Sequence, residues 1–299
     1  MKNKCCLILL ILFINTCFSQ TKKLLIIGID GCRADVITKE FAPTMDSIIY
    51  AKNTAYTYEM KNENHTMSAA NWSSMLTGVH WNKHHAKNNS KFKKGDFKKY
   101  PHIFKRIKES NPNLKTASFP SWMEINKYIA KENVDDAQIF AKDVNDSLVQ
   151  QKALTWLNVI NDSTPDAMFI HFDNVDHNGH ATGFSAGNKN YTNAVIQKDK
   201  YVNELTQLVN KRKEKYNEDW LLIISTDHGG RKHKKIGGHA IGIFNKHIRK
   251  VFLIMNGDDV QPGKIANAHT VDIGVTAMEF FKVPIKKEWK LQGKKVGLK

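Results

Sequence analysis

Short runs of Ile, Leu, Val and Phe recur along this 299-residue chain and limit its fold more than any other feature. Four of the runs are strongly apolar and a fifth is weaker. They cover residues 24–29, 167–172, 221–225, 251–255 and, as the weaker one, 116–119. Near-continuous apolar runs of this length are typical of strands buried on both faces, as in a parallel sheet. We therefore expect a central sheet that is mostly parallel.

Helical patterns lie between these runs. The clearest one repeats apolar residues at intervals of three to four through a polar segment, at Tyr191, Val195, Val202, Leu205 and Val209. Residues 101–110 and 147–160 show a similar pattern. Strands that alternate with helices predict an α/β domain with helices on both faces of one sheet. No linker rich in Pro, Gly or Ser divides the chain, so we expect a single domain over residues 20–299.

The first 19 residues have the pattern of a secretory signal peptide. Lys2 and Lys4 precede an apolar segment at 5–14, and small residues follow, with cleavage expected after Ser19. The apolar segment is about half the roughly 20 residues that a membrane-spanning helix needs, so no transmembrane segment is expected. We predict an exported protein, periplasmic or extracellular, with a lipoprotein anchored at Cys17 as the alternative. Cys32 is then the one cysteine of the mature chain and is expected to be a buried, small apolar residue.

The charge balance indicates the class of partner. The chain contains 45 Lys and Arg residues and 29 Asp and Glu residues, so its formal net charge is +16. A basic surface of this kind favours anionic ligands, and a small phosphate ester fits it. The basic residues are spread along the chain and form no stripe interleaved with aromatic residues, so a dedicated nucleic-acid module is not expected. The sequence leaves the oligomeric state open.

Candidate metal ligands follow three of the predicted strands. In open α/β sheets, sites form at the carboxyl ends of the strands, and Asp and His residues cluster there in this chain. These residues are Asp30 after the first run, Asp176 and His180 after the second, Asp227 and His228 after the third, and His239 on the glycine-rich loop beyond. Carboxylates placed together are costly without cations between them. Mixed Asp and His ligands suit zinc or a similar divalent ion.

A segment rich in hydroxyl residues, 65–78, lies between the first two of these strands. Ser68 permits two interpretations. It can simply begin a helix, or it can be a nucleophile whose oxygen lies at the positive end of the helix dipole, where a phosphate would also bind. Thr66 is a second candidate nucleophile.

Taken together, these motifs resemble the alkaline phosphatase superfamily. The stretches that carry the resemblance are Gly-Ile-Asp30-Gly, Ser68-Ala-Ala-Asn71, Asp176-x-x-x-His180, Thr-Asp227-His228-Gly and Gly-Gly-His239. Within the superfamily the chain is most similar to the type I phosphodiesterase/nucleotide pyrophosphatase branch, from Leu24 to about Lys290. Residues 76–80 and 271–276 match further stretches of that branch. The resemblance implies two zinc ions, or other divalent ions, and a covalent phospho-enzyme intermediate.

The resemblance also implies a role for each site residue. One zinc ion, which activates Ser68, would be held by Asp30, Asp227 and His228. The other, which stabilises the leaving group, would be held by Asp176, His180 and His239. Asn71 would donate a hydrogen bond to a phosphoryl oxygen. The third ligand of the second zinc is the least determined, because nearby histidines compete with His239, namely His233, His247 and His269.

The sequence thus predicts an exported two-zinc hydrolase of phosphoric esters, similar to phosphodiesterases and nucleotide pyrophosphatases, that acts through a phospho-serine. Alternatives on the same site are a phosphomonoesterase and a sulfatase. No Cys or Ser followed by x-Pro-x-Arg is present, which disfavours the formylglycine-type sulfatases. A third alternative is a basic binding protein that keeps the fold without the chemistry.

Overall fold

The computed structural model describes residues 20–137, 144–159, 164–232, 238–239 and 245–299. Eight strands in these residues form one sheet. They are β1 Thr21–Ile29, β2 Thr54–Lys61, β3 Thr116–Pro120, β4 Asp136–Ala137, β5 Ala167–Phe172, β6 Glu218–Ser225, β7 Lys250–Asn256 and β8 Gly263–Lys264. Their order across the sheet is β4-β3-β5-β1-β6-β7-β2-β8.

Nine α-helices lie in the same described residues. They are α1 Pro43–Ile49, α2 Ser68–Thr77, α3 Trp81–His84, α4 Ile103–Ser110, α5 Asp146–Asn158, α6 Asn174–Thr182, α7 Lys189–Tyr216, α8 Lys246–Arg249 and α9 Thr270–Phe280. The patterns at 101–110, 147–160 and 191–209 correspond to α4, α5 and α7.

The sheet is mostly parallel, as the sequence predicts. Strand β1 lies at its centre and pairs in parallel with β5 and β6, so that Leu24 is opposite both Ala167 and Leu221. The exception is β7, which runs antiparallel to both β6 and β2. Because β1, β5 and β6 run the same way and end almost level, the residues that follow them meet at one edge of the sheet.

Helices cover both faces of the sheet, and each face has its own apolar core. Along β1, Leu24 and Ile26 face a core that includes residues of α2, α4 and α9. The alternate residues Leu25 and Ile27 face the other core, which includes residues of α1, α5 and α7. This alternation confirms the doubly covered α/β architecture.

Two expectations concern the beginning of the chain. The predicted signal segment, 1–19, lies outside the described residues. Among the residues that are described, no helix combines the length and the apolar character needed to cross a membrane. Cys32 is fully buried, and burial raises the pKa of its thiol, in agreement with the small apolar role predicted for it.

Candidate active site at the carboxyl edge of the sheet

The fold brings the three predicted ligand segments together. Asp30 directly follows β1, Asp176 lies in the first turn of α6 after β5, and Asp227 follows β6. Gly31 makes this approach feasible, because its φ is +68° and a Cβ atom there would lie 2.8 Å from the Asp176 backbone. Any side chain at position 31 would therefore separate β1 from α6.

The first group of candidate ligands surrounds Nε2 of His228. This atom lies 3.4 Å from Oδ1 of Asp30 and 3.3 Å from Oδ2 of Asp227. The hydroxyl oxygen of Ser68 lies 3.2 Å from the same nitrogen. Three candidate ligands and the candidate nucleophile thus converge on one point, and the His228 ring and both Asp side chains are almost completely buried.

The second group lies beside the first and shares its carboxylate side. Oδ2 of Asp176 is 3.3 Å from Nε2 of His180, and Oδ1 of Asp176 is 3.8 Å from Nε2 of His239. The two imidazole nitrogens are 3.0 Å apart. Asp176 Oδ1 is also 4.0 Å from Nε2 of His228, and the rings of His228 and His239 stack at 3.5 Å, so the two groups are contiguous.

Each of the three carboxylates has an oxygen without a hydrogen-bond partner, and in Asp30 and Asp227 the protein holds the other oxygen. Oδ2 of Asp30 accepts hydrogen bonds from the Trp72 indole at 2.8 Å and from His171 at 3.1 Å. Oδ1 of Asp227 accepts one from the Gly31 amide at 3.2 Å. Asp30 Oδ1, Asp227 Oδ2 and Asp176 Oδ1 have no partner in the protein. Buried carboxylate oxygens without donors are costly, and bound divalent cations would satisfy them.

The buried imidazoles are oriented in the way that metal ligands require. His228 Nδ1 lies 2.9 Å from the Gly229 carbonyl oxygen, and His239 Nδ1 lies 2.7 Å from that of Thr66. A carbonyl can only accept, so both Nδ1 atoms carry the proton and both Nε2 lone pairs are free. A carbonyl on the far nitrogen is the usual outer partner of a metal-ligating histidine.

The electrostatics of the site also call for cations. Burial and the charge of Asp30 raise the pKa of Asp176 and of Asp227 well above the ordinary value for an aspartate. Burial acts against ionisation of Asp30 as well, but the hydrogen bond from His171 and the neighbouring imidazoles lower its pKa. Three carboxylates in one buried space resist full ionisation, and bound divalent ions would reverse that resistance. The residues present therefore fit a pair of metal ions.

Ser68 is the first residue of α2 and is mostly buried. The helix has its N-terminus at the site, where the helix dipole favours negative charge. Thr66 is placed differently. Its hydroxyl donates a 2.5 Å hydrogen bond to the His239 carbonyl oxygen and is fully buried, an arrangement that favours Ser68 over Thr66 as the nucleophile.

Asn71 does not face the converging ligands. Its Oδ1 accepts a hydrogen bond from the Glu63 amide, and its Nδ2 donates to the carbonyl oxygens of His65 and Met67. The carboxamide is fully buried and is used to hold the segment that precedes α2. This geometry does not favour the phosphoryl contact predicted for Asn71.

The alternatives to His239 that the structure describes lie away from the second group of ligands. His247 contacts Arg33 and Asp35, and His269 lies in a separate cluster with Glu63 and His80. His233 lies outside the described residues. The glycine before His239, Gly238, has a φ of +44°, and a Cβ atom there would come within 2.5 Å of the His180 ring. The lack of a side chain at Gly238 therefore lets this segment lie close to His180.

The sequence does not predict a role at the site for three residues that the structure places there. Trp72 and His171 hold Asp30, and their side chains lie in a helix and a strand whose patterns predict only core packing. Asn89 accepts a hydrogen bond from the Ala69 amide at 3.1 Å, next to Ser68, and is exposed. It lies 21 residues from Ser68 along the chain, so no local pattern relates the two.

Comparison with known protein families identifies the chain. The family model described as type I phosphodiesterase/nucleotide pyrophosphatase matches residues 24–256. The chain belongs to this family. Type I phosphodiesterases and nucleotide pyrophosphatases are metal-dependent hydrolases of phosphoric esters, a class to which the ligand clusters described above are suited. A search of curated proteins finds no match to this sequence.

Solved structures with the same fold include relatives of different specificity. Murine ectonucleotide pyrophosphatase/phosphodiesterase 5, as an inactive variant in complex with AMP, superposes with a TM-score of 0.63 at 13% identity and covers 88% of this chain and 95% of its own. The 2-O GAG sulfatase BT1596 gives 0.67 at 13% identity, covering 92% and 75%. The lipoteichoic acid synthase LtaP from Listeria monocytogenes gives 0.64 at 14%, covering 88% and 72%. At this identity the similarity extends to the fold alone.

Proposed function

We propose that this protein is an exported hydrolase of phosphoric esters that uses two zinc ions and a phospho-serine intermediate on Ser68, with phosphodiesters or pyrophosphates as its substrates. One observation carries the proposal. The Ser68 hydroxyl lies 3.2 Å from Nε2 of His228, beside carboxylate oxygens of Asp30 and Asp227 that have no partner in the protein. A serine hydroxyl is a poor nucleophile by itself, and a metal ion held by these residues would activate it.

Each of the two contiguous groups of ligands would hold one metal ion. Asp30, Asp227 and His228 would hold the ion beside Ser68, and the second group would hold the other through Asp176, His180 and His239. When bound, such a pair lowers the pKa of the hydroxyl and neutralises charge on the attacking and leaving oxygens.

The chain's own residues account for the remaining steps. The Ser68 hydroxyl gives up its proton and its oxygen forms a bond to phosphorus. The bond between phosphorus and the leaving oxygen breaks, and that oxygen takes up a proton and departs as the alcohol. The dipole at the start of α2 favours negative charge on the phosphoryl oxygens. Water then cleaves the phospho-serine ester and releases a phosphate monoester when the substrate is a diester. Asn89, beside the Ala69 amide, is positioned to contact the phosphoryl group in this step.

The substrate is expected to be anionic, since the net charge is +16. The AMP complex of the mouse relative supports a nucleotide-derived phosphoric ester as one substrate class. The sulfatase among the structures of this fold keeps a sulfate ester as the second candidate.

Hydrolysis rates for three aryl esters separate these functions. Bis-p-nitrophenyl phosphate, p-nitrophenyl phosphate and p-nitrophenyl sulfate would be compared on the zinc-loaded protein, with Ser68→Ala as the test variant. Ser73→Ala is the matched control, since Ser73 is a buried serine of the same helix whose hydroxyl has no hydrogen-bond partner. We expect the diester to react fastest, Ser68→Ala to lose about four orders of magnitude in rate, and Ser73→Ala to retain the activity.

Other outcomes point to the alternatives. Faster hydrolysis of the monoester would make the protein a phosphomonoesterase, and faster hydrolysis of the sulfate would make it a sulfatase. A folded protein that binds no zinc and cleaves none of the three esters would be a binding protein, and the proposal would fail.

A further inference from the structure

A second cluster of metal-ligating side chains lies away from the candidate active site. Glu63, His80 and His269 each offer one ligand atom, and these atoms lie within 4.8 Å of one another. Oε1 of Glu63 is 2.7 Å from Nδ1 of His80, and the His80 and His269 rings meet edge to face at 4.5 Å. Nothing in the proposed mechanism uses these three residues.

The cluster joins three separate segments of the chain. Glu63 follows β2 and is almost fully buried, His80 lies between α2 and α3, and His269 immediately precedes α9. Ser74, which donates a hydrogen bond to Glu63, is six residues after Ser68 in α2. It is therefore about 9 Å further along the helix axis, whereas paired catalytic ions lie about 4 Å apart.

The carboxylate of the cluster is held in place by outer partners. The Ser74 hydroxyl donates to Oε1 of Glu63 at 2.7 Å, and His84 Nε2 lies 2.9 Å from the same hydroxyl. His84 accepts a hydrogen bond from the Ala86 amide on its Nδ1, so its proton is on Nε2 and points to Ser74. A fixed, hydrogen-bonded carboxylate is the usual arrangement for a metal ligand.

We propose that Glu63, His80 and His269 form a zinc site separate from the catalytic pair. Two imidazoles and one carboxylate are a ligand set that zinc accepts, with water as the fourth ligand. The His80 side chain is 28% exposed, which leaves room for that water. Ligand atoms about 2.1 Å from a tetrahedral ion lie about 3.4 Å apart. The contact between Glu63 and His80 would therefore widen by well under one ångström on binding.

The charge around the cluster predicts which ions it prefers. It contains a single carboxylate, and the positive charges of Arg249 and Lys61 act on His269. Simple attraction would therefore not retain a cation, and coordination by the imidazoles must supply the affinity. We expect binding of Zn²⁺ or Co²⁺ and none of Mg²⁺ or Ca²⁺.

Occupancy of this site would stiffen the catalytic one. The Glu63 amide donates to Asn71 in α2, and the neighbouring Asn62 donates to the backbone carbonyl of Asp227 at 2.9 Å. The segment that contains Glu63 therefore contacts both α2, which carries Ser68, and the backbone of the candidate ligand Asp227. Zinc there would connect β2, α2 and α9 as a structural staple.

Zinc per chain, measured after equilibration with excess Zn²⁺ and desalting, tests the proposal. We expect three ions in the wild type and two in the double variant His80→Asn/His269→Asn. His85→Asn is the matched control. His85 is an exposed histidine next to α3 with a φ of +62°, which asparagine tolerates, and this variant should keep three ions. Equal zinc content in the wild type and the double variant would overturn the proposal.

Two further measurements keep the test decisive. If the double variant does not fold, a Co²⁺ titration of the wild type and Glu63→Gln by visible absorption replaces it. We expect one tetrahedral Co²⁺ fewer in Glu63→Gln, and identical titrations would overturn the proposal. Asp176→Asn/His180→Asn should lose zinc independently of the cluster. If the zinc content falls in His80→Asn/His269→Asn but not in Asp176→Asn/His180→Asn, the proposed catalytic pair is refuted and this site stands.

Discussion

At the scale of single residues, the candidate site is organised by hydrogen bonds that leave one ligand atom free. Asp30 uses one oxygen to accept from Trp72 and His171, and Asp227 uses one to accept from the Gly31 amide. The other oxygen of each points into the site without a partner. These outer contacts fix the carboxylates before an ion arrives, so the metal affinity should depend on them.

Trp72→Phe tests this dependence. The change keeps an aromatic ring in the core but removes the N–H that holds Oδ2 of Asp30. We expect zinc affinity to fall about 10- to 100-fold with little loss of stability, as for other outer partners of metal ligands. Competition with a chelator measures the affinity, and Trp122→Phe, at a partly buried tryptophan, is the control. Unchanged zinc binding in Trp72→Phe would mean that the indole N–H does not orient Asp30.

Asn89, rather than Asn71, should have the role at the phosphoryl group that the sequence predicts for Asn71. The Asn71 carboxamide bonds to three backbone groups, so Asn71→Ala should destabilise the fold by about 1–3 kcal/mol through unpaired buried groups. Asn89 is exposed beside the Ala69 amide, so Asn89→Ala should leave stability intact and lower kcat about 100-fold. Urea unfolding and steady-state kinetics on both variants decide the matter. A kinetic loss confined to Asn71→Ala would restore the original prediction.

The sequence carries the ligand candidates but not their surroundings. Asp30, Asp176 and Asp227 are found from the sequence because each closely follows an apolar strand, and strand ends gather at one edge of a parallel sheet. Trp72 and Asn89 are not found, because their relation to the site exists only after the chain has folded. A hydrogen bond between distant segments has no local signature.

At the scale of elements, the site depends on how closely β1 approaches α6. Gly31 directly follows the Asp30 ligand, and a Cβ atom at that position would lie 2.7 Å from Oδ1 of Asp176.

The sequence pattern predicts the strands at the five apolar runs and the main helices. It does not predict the antiparallel direction of β7, because an apolar run fits a buried strand of either direction. Strand β2 alternates apolar and polar residues and has no long apolar run, so the sequence does not predict it as a buried strand.

Gly31→Ala should therefore disrupt the metal site more than the fold. The methyl group combines a positive φ with a clash against Asp176, so we expect loss of zinc from the site and loss of activity. Gly263→Ala is the control, since Gly263 also has a positive φ but no atom within 4 Å of the added Cβ. It should cost stability alone. Zinc content and circular dichroism are the measurements, and full zinc content in Gly31→Ala would contradict this account of the close approach.

At the scale of the whole molecule, stability in acid should depend on buried neutral histidines. His102 is fully buried at the start of α4, where its Nδ1 accepts from the Phe104 amide, and burial lowers its pKa to about 3. The unfolded chain binds a proton there below about pH 6.5, whereas the folded protein does not. The stability contributed by neutral His102 is therefore complete above pH 6.5 and is lost as the pH falls from 6.5 towards 3.

His102→Asn isolates this contribution, because asparagine keeps an oxygen that can cap the helix and does not titrate. Each pH unit is worth about 1.4 kcal/mol per proton. Between pH 7.5 and 5.0 we expect the wild type to lose about 2 kcal/mol more unfolding free energy than the variant. Urea unfolding at the two pH values measures the difference. Equal losses in both proteins would show that His102 is protonated in the folded state.

We expect Ser68 to become covalently attached to phosphorus during turnover. Acid quenching of the zinc-loaded enzyme during reaction with bis-p-nitrophenyl phosphate, followed by peptide mass spectrometry, tests it directly. We expect one p-nitrophenyl phosphoryl group on the peptide that contains Ser68, assigned to the Ser68 oxygen by fragmentation and missing from Ser68→Ala. Attachment to Thr66, or full turnover by Ser68→Ala, would contradict it.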